Sequence, residues 1–332
     1  MRYAILGFGG LGKLHTVNLE LLKKEYDLTL AAVCATDPSR VRQNVSLNLG
    51  DVDISGLDFS SIAIYTDYKT LIDEVAPDFV ISTLPTYLHA EAAIYALSRG
   101  IHVFSEKPMA LTLEDCASMA DAAKKSCAHL LIGQCLRFDP TMQYLKNCVA
   151  EETYGRCYRA EFHRYSQTPL WTKNNWILDP AQSGGCIFDM HIHDTDLINW
   201  MFGMPHSLTS AMTKAKVESE SIFTQYRYEN LLVTSAADWS LTQTFPFESR
   251  ALLCCEHAVL DAKNGVLTVY QDDKVLTPEI PSGDYFMREM QAFLDTVTNR
   301  ASAPFSPDDV LNSTRLAMLE IKSAESALPV IL

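Results

Sequence analysis

The chain has 332 residues, of which 48% are hydrophobic and 20% charged, and its formal net charge is −14 at pH 7. This length suggests two domains of roughly 150 residues each, and the composition is typical of a globular protein. The acidic balance disfavours binding to nucleic acid or to an anionic membrane surface, because both attract basic proteins. No apolar stretch approaches the roughly 18 residues of a membrane-spanning helix, so we expect no membrane partner.

Nine cysteines are scattered along the chain, and none of them forms a C-x-x-C pair. Their odd number and the adjacency of Cys254 and Cys255 fit neither a zinc knuckle nor an ordinary disulfide framework. Unpaired thiols are typical of a reducing compartment, where cysteine behaves as a small buried hydrophobe. The apolar run at residues 3–6 is too short for the core of a signal peptide, so we expect a cytoplasmic protein.

Short apolar runs alternate with helical patterns over the first 130 residues. Runs without polar alternation are typical of strands buried on both faces, and helices between them imply right-handed parallel crossovers. We expect strands at 3–6, 28–34, 62–65, 79–83, 101–104 and 130–132, and helices at 11–26, 87–99 and 113–125. The pattern predicts a doubly wound parallel α/β domain over residues 1–127, with an irregular excursion at 44–61.

The pattern changes after Pro140. Helices are expected at 141–151, 185–201, 285–299 and 307–327, and strands at 158–165 and repeatedly between 208 and 270. Successive strands without helices between them should pair antiparallel, so residues 128–332 are predicted to form an α/β domain with a mainly antiparallel open sheet. Ser306, followed by Pro307 and two acids, predicts the start of the last helix.

A glycine-rich motif follows the first expected strand and begins the first helix. Gly7, Gly9 and Gly12 form the pattern G-x-G-x-x-G in the context that a dinucleotide-binding loop requires. In such loops the glycines permit a tight turn, a close approach to pyrophosphate and close helix packing, and the helix N-terminus attracts phosphates. A glycine-rich turn without a ligand is the alternative. The nucleotide site is expected to comprise Gly7, Phe8, Gly9, Gly10, Leu11 and Gly12.

Polar residues follow the fourth and fifth expected strands, at the edge of the sheet where open α/β proteins bind their ligands. Lys107 comes directly after the fifth strand, where it can exchange a proton with a substrate hydroxyl, and its alternative is a solvated turn lysine. His89 follows the fourth strand, where it can contact a nicotinamide or cap its helix. The residues expected to contact the cofactor here are Thr83, Leu84, Pro85, His89, Glu106 and Lys107.

The densest polar cluster lies between Gly184 and Asp196. If this segment is helical, Asp189, His193 and Asp196 share one face by their i, i+4, i+7 spacing. Polar side chains on such a face are costly unless they are paired or functional, and a histidine held by a carboxylate is a suitable proton carrier. A metal site would need both His191 and His193, which a helix places on opposed sides, so no metal is expected. A cluster of helix caps and salt bridges remains the alternative.

Four features occur in order along the chain. They are the glycine loop, the triplet Glu106-Lys107-Pro108, the Arg-Phe-Asp-Pro junction at 137–140 and the segment Gly-Gly-x-x-x-Asp-x-x-x-His-x-x-Asp. Together they resemble the glucose–fructose oxidoreductase / inositol dehydrogenase / MocA family over nearly the whole chain. The resemblance implies an N-terminal Rossmann domain and a C-terminal α/β domain. It also implies hydride transfer between NAD or NADP and a secondary hydroxyl or ketone of a sugar, inositol or related polyol.

The resemblance further implies roles for single residues. Lys107 matches the family's catalytic lysine, Asp189 and His193 match its Asp/His pair, and Asp196 matches a further acid on the same helix. Pro108 matches a proline that a cis peptide bond often precedes. We expect Lys107 and His193 to contact the reacting oxygen while Asp189 orients His193. The residues expected to bind substrate are Lys107, Arg137, Trp176, Asp189 and His193.

One position departs from the family's pattern and bears on the choice of cofactor. NAD-binding members carry an acid after the second strand, and this chain has Ala35 there. Without that acid a 2′-phosphate is not repelled, while Thr36 and Arg40 supply a hydroxyl and a cation nearby. Asp37 could instead take the ribose and restore a preference for NAD. We expect Thr36, Asp37 and Arg40 to bind the cofactor, with NADP favoured over NAD.

Two functions from different classes remain open. The first is a nicotinamide-dependent oxidoreductase acting on a sugar or polyol that the sequence does not identify, and the second is a non-catalytic nucleotide-binding sensor or scaffold. Segments 230–233 and 251–255 place apolar residues on both faces of their expected strands. This arrangement would leave an exposed apolar sheet face, so we expect a homodimer or homotetramer through that face, as the resemblance also implies.

Overall fold

The computed structural model describes residues 1–47, 50–170, 172–214 and 221–332 and divides the chain into two compact units. Unit 1 comprises Met1–Cys135 and Gly283–Leu311, and unit 2 comprises Leu136–Ser282 and Asn312–Leu332. This division differs from the expected boundary at 127/128 in two respects. The strand-like run at 130–132 and the helix expected at 285–299 both belong to unit 1.

The strands form two large sheets and one short hairpin. In chain order they are β1 (Arg2–Leu6), β2 (Thr29–Cys34), β3 (Val45–Leu47), β4 (Gly50–Val52), β5 (Ala63–Tyr65), β6 (Phe79–Ser82), β7 (His102–Glu106), β8 (Leu130–Gly133), β9 (Cys157–Gln167), β10 (Ser207–Thr213), β11 (Ser221–Arg227), β12 (Leu232–Leu241), β13 (Glu248–Cys255), β14 (Val259–Lys263), β15 (Val266–Tyr270), β16 (Val275–Leu276) and β17 (Val330–Ile331). All six strands expected in the first 132 residues are present.

Most of the helices lie where periodic segments predict them, but those at Tyr68–Val75 and Pro180–Ser183 were not predicted, and the helix expected at 185–201 is a regular α-helix only from Ile192. In chain order they are α1 (Gly10–Tyr26), α2 (Tyr68–Val75), α3 (His89–Leu97), α4 (Leu113–Lys125), α5 (Pro140–Ala150), α6 (Pro180–Ser183), α7 (Ile192–Phe202), α8 (Tyr285–Val297) and α9 (Pro307–Ser326). The expected start of α9 is confirmed, because Ser306 Oγ accepts a hydrogen bond from the backbone N–H of Asp309 at 3.3 Å. Within the described ranges, no helix is both long enough and apolar enough to cross a bilayer.

The sheet of unit 1 has the strand order β5-β2-β1-β6-β7-β8, and its strands run parallel. Successive strands spread outward from β1 in one direction and from β6 in the other, so the order of connection reverses between these two strands. In open α/β sheets, ligands bind at the carboxyl ends of the strands beside such a reversal. The expected doubly wound parallel domain is confirmed.

Both faces of this sheet are buried, as its unalternating apolar runs predict. Ile5 packs in one cluster and Leu6 in another on the opposite face. Helix α8 joins the cluster of Ile5 through Met290, Phe293 and Leu294, which are all 0% exposed. Burial of each such side chain contributes about 1.5–3 kcal/mol. This packing explains why a helix so distant in sequence belongs to unit 1.

The irregular excursion expected at 44–61 contains a short hairpin. Strands β3 and β4 pair antiparallel within it, although residues 48 and 49 between them lie outside the described ranges. The Oδ1 atom of Asn44 accepts a hydrogen bond from the backbone of Ile54 at 3.0 Å. Ile54 and Phe59 are buried in the same cluster as Ile5. The excursion therefore packs on the core of unit 1.

Unit 2 is built on a nine-stranded sheet in the order β16-β15-β14-β13-β9-β12-β11-β10-β17. The described strand pairs are antiparallel apart from β9 and β12, which run parallel. The exception follows from the chain order, because helices separate β9 from β10, whereas β10–β12 and β13–β16 are consecutive hairpins. The expected mainly antiparallel sheet is confirmed.

One face of the sheet in unit 2 is covered by helices. Phe162 on β9 and Leu253 on β13 pack in a cluster with Leu145 of α5, Leu197 of α7 and Leu316 of α9. These five side chains are between 0% and 2% exposed. This cluster is the core of unit 2.

The opposite face mixes apolar and ionic side chains. Residues paired across neighbouring strands share a face, and one such row runs from Phe223 through Ala236 and His163 to Arg250. Phe223 is 51% exposed, whereas the Arg250 guanidinium pairs with Asp261 at 2.7 Å. The open face therefore carries ionic side chains in addition to the exposed apolar ones that the sequence predicts there.

Candidate functional site

The glycine loop connects β1 to α1 in unit 1. Gly7 has a φ of +92°, and a Cβ atom there would lie 2.6 Å from the carbonyl oxygen of Thr83. A Cβ atom at Gly12 would lie 2.4 Å from the carbonyl oxygen of Gly7. At Gly9, in contrast, a Cβ atom would have no heavy atom of the described chain within 4 Å beyond its own neighbours. Packing therefore requires the first and third glycines, while the second lies beside open space.

The same loop presents a helix N-terminus. The backbone N–H groups of Gly7 and Phe8 donate to the carbonyl of Cys34 at 3.1 and 2.9 Å, which fixes the loop against β2. Helix α1 begins at Gly10 with Gly9 as its N-cap, so its first turn gains no hydrogen bond from the capping side chain. Those N–H groups and the positive end of the helix dipole favour an anion. The open backbone at Gly9 fits the pyrophosphate of a dinucleotide.

Thr83 and His89, expected to contact the cofactor, contact neighbouring loops in unit 1. The Thr83 hydroxyl donates to the carbonyl of Gly7. The His89 ring is 1% exposed, with Nδ1 2.8 Å from the Pro108 carbonyl oxygen and Nε2 2.9 Å from that of Leu84. Burial lowers the pKa of His89, and a neutral ring donates from only one nitrogen. We therefore assign His89 to holding the Leu84 and Pro108 loops in place.

The segment after β2 is held by a turn and by a lysine that the sequence analysis missed. Asp37 caps a 3-10 turn, Pro38–Arg40, by accepting bonds from the backbone and hydroxyl of Ser39 at 3.2 and 2.6 Å. The Arg40 side chain is exposed, and its carbonyl accepts a 2.9 Å hydrogen bond from Lys13 Nζ. Burial, and then the charge of Arg40, lower the pKa of Lys13. Lys13 directly follows the third glycine of the motif, and this position is the sequence feature that could have identified it.

The triplet Glu106-Lys107-Pro108 lies at the carboxyl end of β7 in unit 1. The expected cis peptide bond before Pro108 is present. Lys107 is half-buried, and its backbone N–H donates to Glu106 Oε2 at 3.2 Å. The other oxygen of Glu106 lies 2.6 Å from Nε2 of His15 on α1. Glu106, expected to contact the cofactor, is thus 4% exposed and bound to the protein itself.

A third buried group completes this cluster. Glu289 of α8 is 0% exposed, and its carboxylate, Glu106 and His15 offer ligand atoms that lie within 4.8 Å of one another. In the described part of the chain this is the one such group of three or more His, Cys, Asp or Glu side chains. Neither His15 nor Glu289 is predictable from local sequence patterns, because their partners lie far away along the chain.

The segment 184–196 of unit 2 is not one regular α-helix. A π-helical turn, Ile187–His191, precedes α7. Gly184 has a φ of +78°, and a Cβ atom there would lie 2.5 Å from the side chain of Phe188. The wider π turn lies between Asp189 and α7, so the spacing of a regular α-helix, from which the shared face of Asp189, His193 and Asp196 was predicted, does not describe this segment.

The acidic side chains of α7 are anchored by arginines. Arg137 donates from Nε and from its terminal nitrogen to the two oxygens of Asp196, at 2.8 and 2.7 Å, and Ser313 donates to the same carboxylate at 2.7 Å. The side chains of Arg137 and Asp196 are 3% and 2% exposed. Arg164 of β9 pairs with Asp194 at 3.0 Å. We therefore assign Arg137, expected to bind substrate, and Asp196 to the support of α7.

His191 belongs to a further buried cluster in unit 2. Its Nε2 atom lies 2.9 Å from the carboxylate of Glu320, and both side chains are 0% exposed. The other carboxylate oxygen, Glu320 Oε1, accepts hydrogen bonds from Tyr226 at 2.6 Å and from Thr195 at 3.2 Å. Burial, with the neighbouring Glu320 charge, raises the pKa of Tyr226 well above its ordinary value. This packing removes His191 from the metal site that its spacing to His193 made conceivable.

Of the polar residues predicted on this segment, two remain partly exposed. Asp189 and His193 are half-buried, whereas His191, Asp194 and Asp196 are buried. Trp176, in the 3-10 turn Lys173–Leu178, is also half-buried. Of the four side chains of unit 2 that were expected to bind substrate, these three are accessible and Arg137 is buried. Lys107, the fourth accessible candidate, belongs to unit 1.

Two family models match the chain. Residues 1–134 match an oxidoreductase family with an NAD-binding Rossmann fold, the Gfo/Idh/MocA family, and residues 142–261 match the C-terminal domain of the same family. Each match falls on one of the two units described above.

Curated relatives are similar over part of their length. The chain is 28% identical over 210 residues to 2,7-anhydro-N-acetylneuraminate hydratase of Escherichia coli, covering 63% of this chain and 52% of the relative. It is 30% identical over 203 residues to myo-inositol 2-dehydrogenase of Thermotoga maritima, covering 61% and 55%. The chain thus spans about half the length of these relatives.

The fold is also shared with solved structures. A levoglucosan dehydrogenase in complex with NADH and levoglucosan aligns with a TM-score of 0.84 at 16% identity, covering 100% of this chain and 99% of that one. This likeness concerns the fold. The two family matches show that the chain belongs to the Gfo/Idh/MocA oxidoreductase family.

Proposed function

We propose that this protein is a nicotinamide-dependent oxidoreductase that acts on a secondary hydroxyl or ketone of a sugar, inositol or related polyol. The observation that carries the proposal is the loop at Gly9, where open backbone and an uncapped helix N-terminus lie at the strand reversal of a parallel sheet. Lys107 follows another strand of the same sheet. Relatives named as inositol dehydrogenases support this substrate class.

The cofactor fits the loop at residues 7–12, whose shape leaves space at Gly9 for the pyrophosphate. When bound, a nicotinamide cofactor supplies the acceptor or donor of the hydride. We propose NADP as the preferred form, because Ala35 replaces the usual acid and Arg40 is exposed. Asp37 is the acid that could replace the missing one, but its carboxylate caps the adjacent turn by accepting two hydrogen bonds from Ser39. This engagement supports the preference for NADP.

Three side chains are assigned to the substrate's proton. Lys107 and His193 exchange the hydroxyl proton, and Asp189 orients the imidazole of His193. Partial exposure of all three supports these roles, because a group that exchanges protons with substrate must be reachable. The clusters around Glu106 and around α7 hold the backbone that carries them. Trp176 is proposed to contact the sugar ring.

A screen of sugars, inositols and their keto forms with NAD and NADP, followed by the absorbance of reduced nicotinamide, tests the proposal. We expect turnover with at least one polyol and loss of that turnover in Lys107→Ala. Cofactor binding without turnover of any compound would overturn the enzymatic assignment. That outcome would favour the sensor or scaffold, for which neither the site nor the comparisons give support.

A second candidate function is suggested by the relative named as a hydratase. A hydratase would add or remove one water molecule, with no net oxidation or reduction of the nicotinamide. Mass spectrometry of the products therefore separates the two candidates. A product that differs by two hydrogens, with stoichiometric change in nicotinamide absorbance, excludes the second.

We further propose that the protein is a cytoplasmic homodimer or homotetramer assembled through the open sheet face of unit 2. All nine cysteines are free thiols, which supports a reducing compartment. Phe223, Leu232 and Tyr270 on the sheet are 51%, 39% and 46% exposed, which supports a covered face in the assembly. A monomer mass by light scattering at micromolar concentration would contradict the assembly.

A further inference from the structure

The buried cluster of His15, Glu106 and Glu289 in unit 1 has fewer hydrogen-bond donors than its two carboxylates need. His15 and Glu106 are 0% and 4% exposed, and Glu289 is 0% exposed. The side chains come from α1, from the end of β7 and from α8. Phe104 and Phe286 pack edge-on against the His15 ring, with centroids 5.3 and 6.0 Å away. The cluster therefore lies in an apolar setting where an uncompensated charge is costly.

The hydrogen bonds are distributed unequally between the two carboxylates. Glu106 is close to His15 Nε2 at 2.6 Å and accepts from the Lys107 N–H at 3.2 Å, so both of its oxygens have a partner. No described group donates a hydrogen bond to either oxygen of Glu289, although a ligand atom of Glu106 lies within 4.8 Å of its carboxylate. An ionised carboxylate at this position would lose its hydrogen bonds with water and gain none from the protein. A neutral carboxylic acid carries no charge and needs only one acceptor for its single proton.

Burial and the neighbouring acidic charges both favour the protonated form of the Glu289 carboxyl group. Burial raises the pKa of Glu289 well above its ordinary value, and the negative charges of Glu106 and Asp284 raise it further. His15 is the one basic side chain within the cluster, and it lies against Glu106. Arg288 precedes Glu289 on α8. Two like charges this close in a buried site favour the binding of one proton.

We propose that Glu289 is a neutral carboxylic acid in the folded protein and that, by sharing its proton with Glu106, it acts as a positioning residue for the Glu106–Lys107 segment. The proton assignment stands on the cluster alone, whereas the positioning role rests on the proposed function. Glu106 then receives donors from His15, from Lys107 and from Glu289. Glu289 reaches Lys107 only through Glu106, so it is not assigned to contact with substrate.

A divalent cation bound by the same three side chains is the competing occupant. Two ligands of one tetrahedral ion, each about 2.1 Å from it, lie about 3.4 Å apart. His15 Nε2 and Glu106 Oε1 are 2.6 Å apart, which is a hydrogen-bond distance. The geometry therefore favours a proton over a metal ion.

Infrared spectroscopy of the full-length protein tests the protonation directly. At neutral pH the wild type should show a carbonyl stretch of a protonated carboxylic acid that shifts in D2O, and Glu289→Gln should lose it. The control is Asp295→Asn, which removes a half-buried carboxylate six residues further along α8 and should retain the band. Absence of the band in the wild type, or its survival in Glu289→Gln, would overturn the proposal. A stoichiometric metal ion that is lost in Glu289→Gln would also overturn it.

The pH dependence of stability gives a second readout that needs no activity. A folded-state pKa above the unfolded value contributes stability that is present at low pH and is lost as pH rises through the folded pKa. Gln cannot ionise, so the thermal midpoint of Glu289→Gln should rise relative to that of the wild type as pH increases from the ordinary pKa of a glutamate into the alkaline range, by roughly 3 °C for each tenfold shift in proton affinity. A constant difference across this range would contradict the proposal.

Kinetics test the positioning role separately. Glu289→Met removes the donor at similar volume and should lower kcat about tenfold with little change in the substrate KM, because Lys107 is misplaced but substrate contacts remain. Glu289→Gln keeps an N–H donor for Glu106 and should restore kcat. Equal losses in both variants would contradict positioning through a shared hydrogen. If the infrared band is lost as expected but no polyol is turned over, the proposed function fails while the proton assignment stands.

Discussion

The buried ionic clusters of the two units balance their charges differently. In unit 2, the acids of helix α7 pair one to one with arginines, and each pair is nearly inaccessible to water. In unit 1, two acids, Glu106 and Glu289, lie beside a single imidazole, that of His15, which contacts Glu106. Removing one partner from a charge-balanced buried pair costs much stability, because the other charge is left unpaired. In a buried cluster with an excess of acids, one acid instead binds a proton. Each cluster supports the backbone of one catalytic candidate, Lys107 or His193.

Removing the catalytic candidates should have the largest effect. Lys107→Ala and His193→Ala are each expected to lower turnover by about 10²–10⁴-fold, because a positioned acid–base group is lost. Cofactor affinity should stay nearly unchanged. Steady-state kinetics and cofactor titration measure the two effects. Lys124→Ala and His206→Ala, which change exposed side chains of the same types, are the controls, and near-normal turnover in both catalytic variants would remove the assignment.

The next largest effect is expected where the balanced cluster is broken. Arg137→Met leaves Asp196 buried without its cation, which should lower the free energy of unfolding by about 3–5 kcal/mol. Arg250→Met, which breaks a bidentate pair with Asp261 at a partly exposed position, should cost about 1 kcal/mol or less. Denaturant unfolding measures both.

A double variant sharpens this test. Arg137→Met combined with Asp196→Leu removes both charges, and much of the lost stability should return, because replacing a whole buried ion pair by apolar residues is often neutral. Equal losses in Arg137→Met and Arg250→Met would show that the buried pair does not anchor α7 as described.

Local sequence patterns predicted the frame of unit 1 well, because buried parallel strands and the glycine loop depend on neighbours in the chain. Long-range contacts were not predictable in the same way. His15 and Glu106 are 91 positions apart, and their pairing depends on how α1 packs on the sheet. Likewise, nothing local in α8 shows that its apolar face completes the core of unit 1, or that Glu289 lies within it.

Helix α7 and the π turn before it show a second limit of prediction from sequence. Their spacing correctly singled out a polar segment, but a face computed for 3.6 residues per turn does not hold through the π turn at Ile187–His191. Acidic side chains that the sequence pattern does not distinguish also differ in their exposure to solvent. Asp196 meets Arg137 from a segment 59 positions away, whereas Asp189 remains half-buried.

A smaller effect is expected at the glycine loop, where binding can be changed without changing the fold. Gly9→Ala adds a methyl group in open space and at a φ of −88°, which alanine adopts readily, so stability should stay within about 0.5 kcal/mol. The methyl group would occupy the approach of the pyrophosphate, and cofactor affinity should fall about tenfold. Gly56→Ala, also in open space, is the matched control and should bind cofactor normally. Unchanged affinity in Gly9→Ala would argue against this loop as the cofactor site.

The smallest expected effect concerns the choice between NADP and NAD. The Arg40 side chain is exposed, so an ion pair with a 2′-phosphate is worth about 1 kcal/mol at most, which is roughly fivefold in affinity. Arg40→Ala should therefore weaken NADPH binding by that factor and leave NADH binding unchanged, while Arg42→Ala, an exposed neighbour, should change neither. Separate titrations with the two reduced cofactors measure this. Tighter binding of NADH that Arg40→Ala does not alter would show that Asp37 leaves its cap on Ser39 and takes the ribose hydroxyls in place of the missing acid.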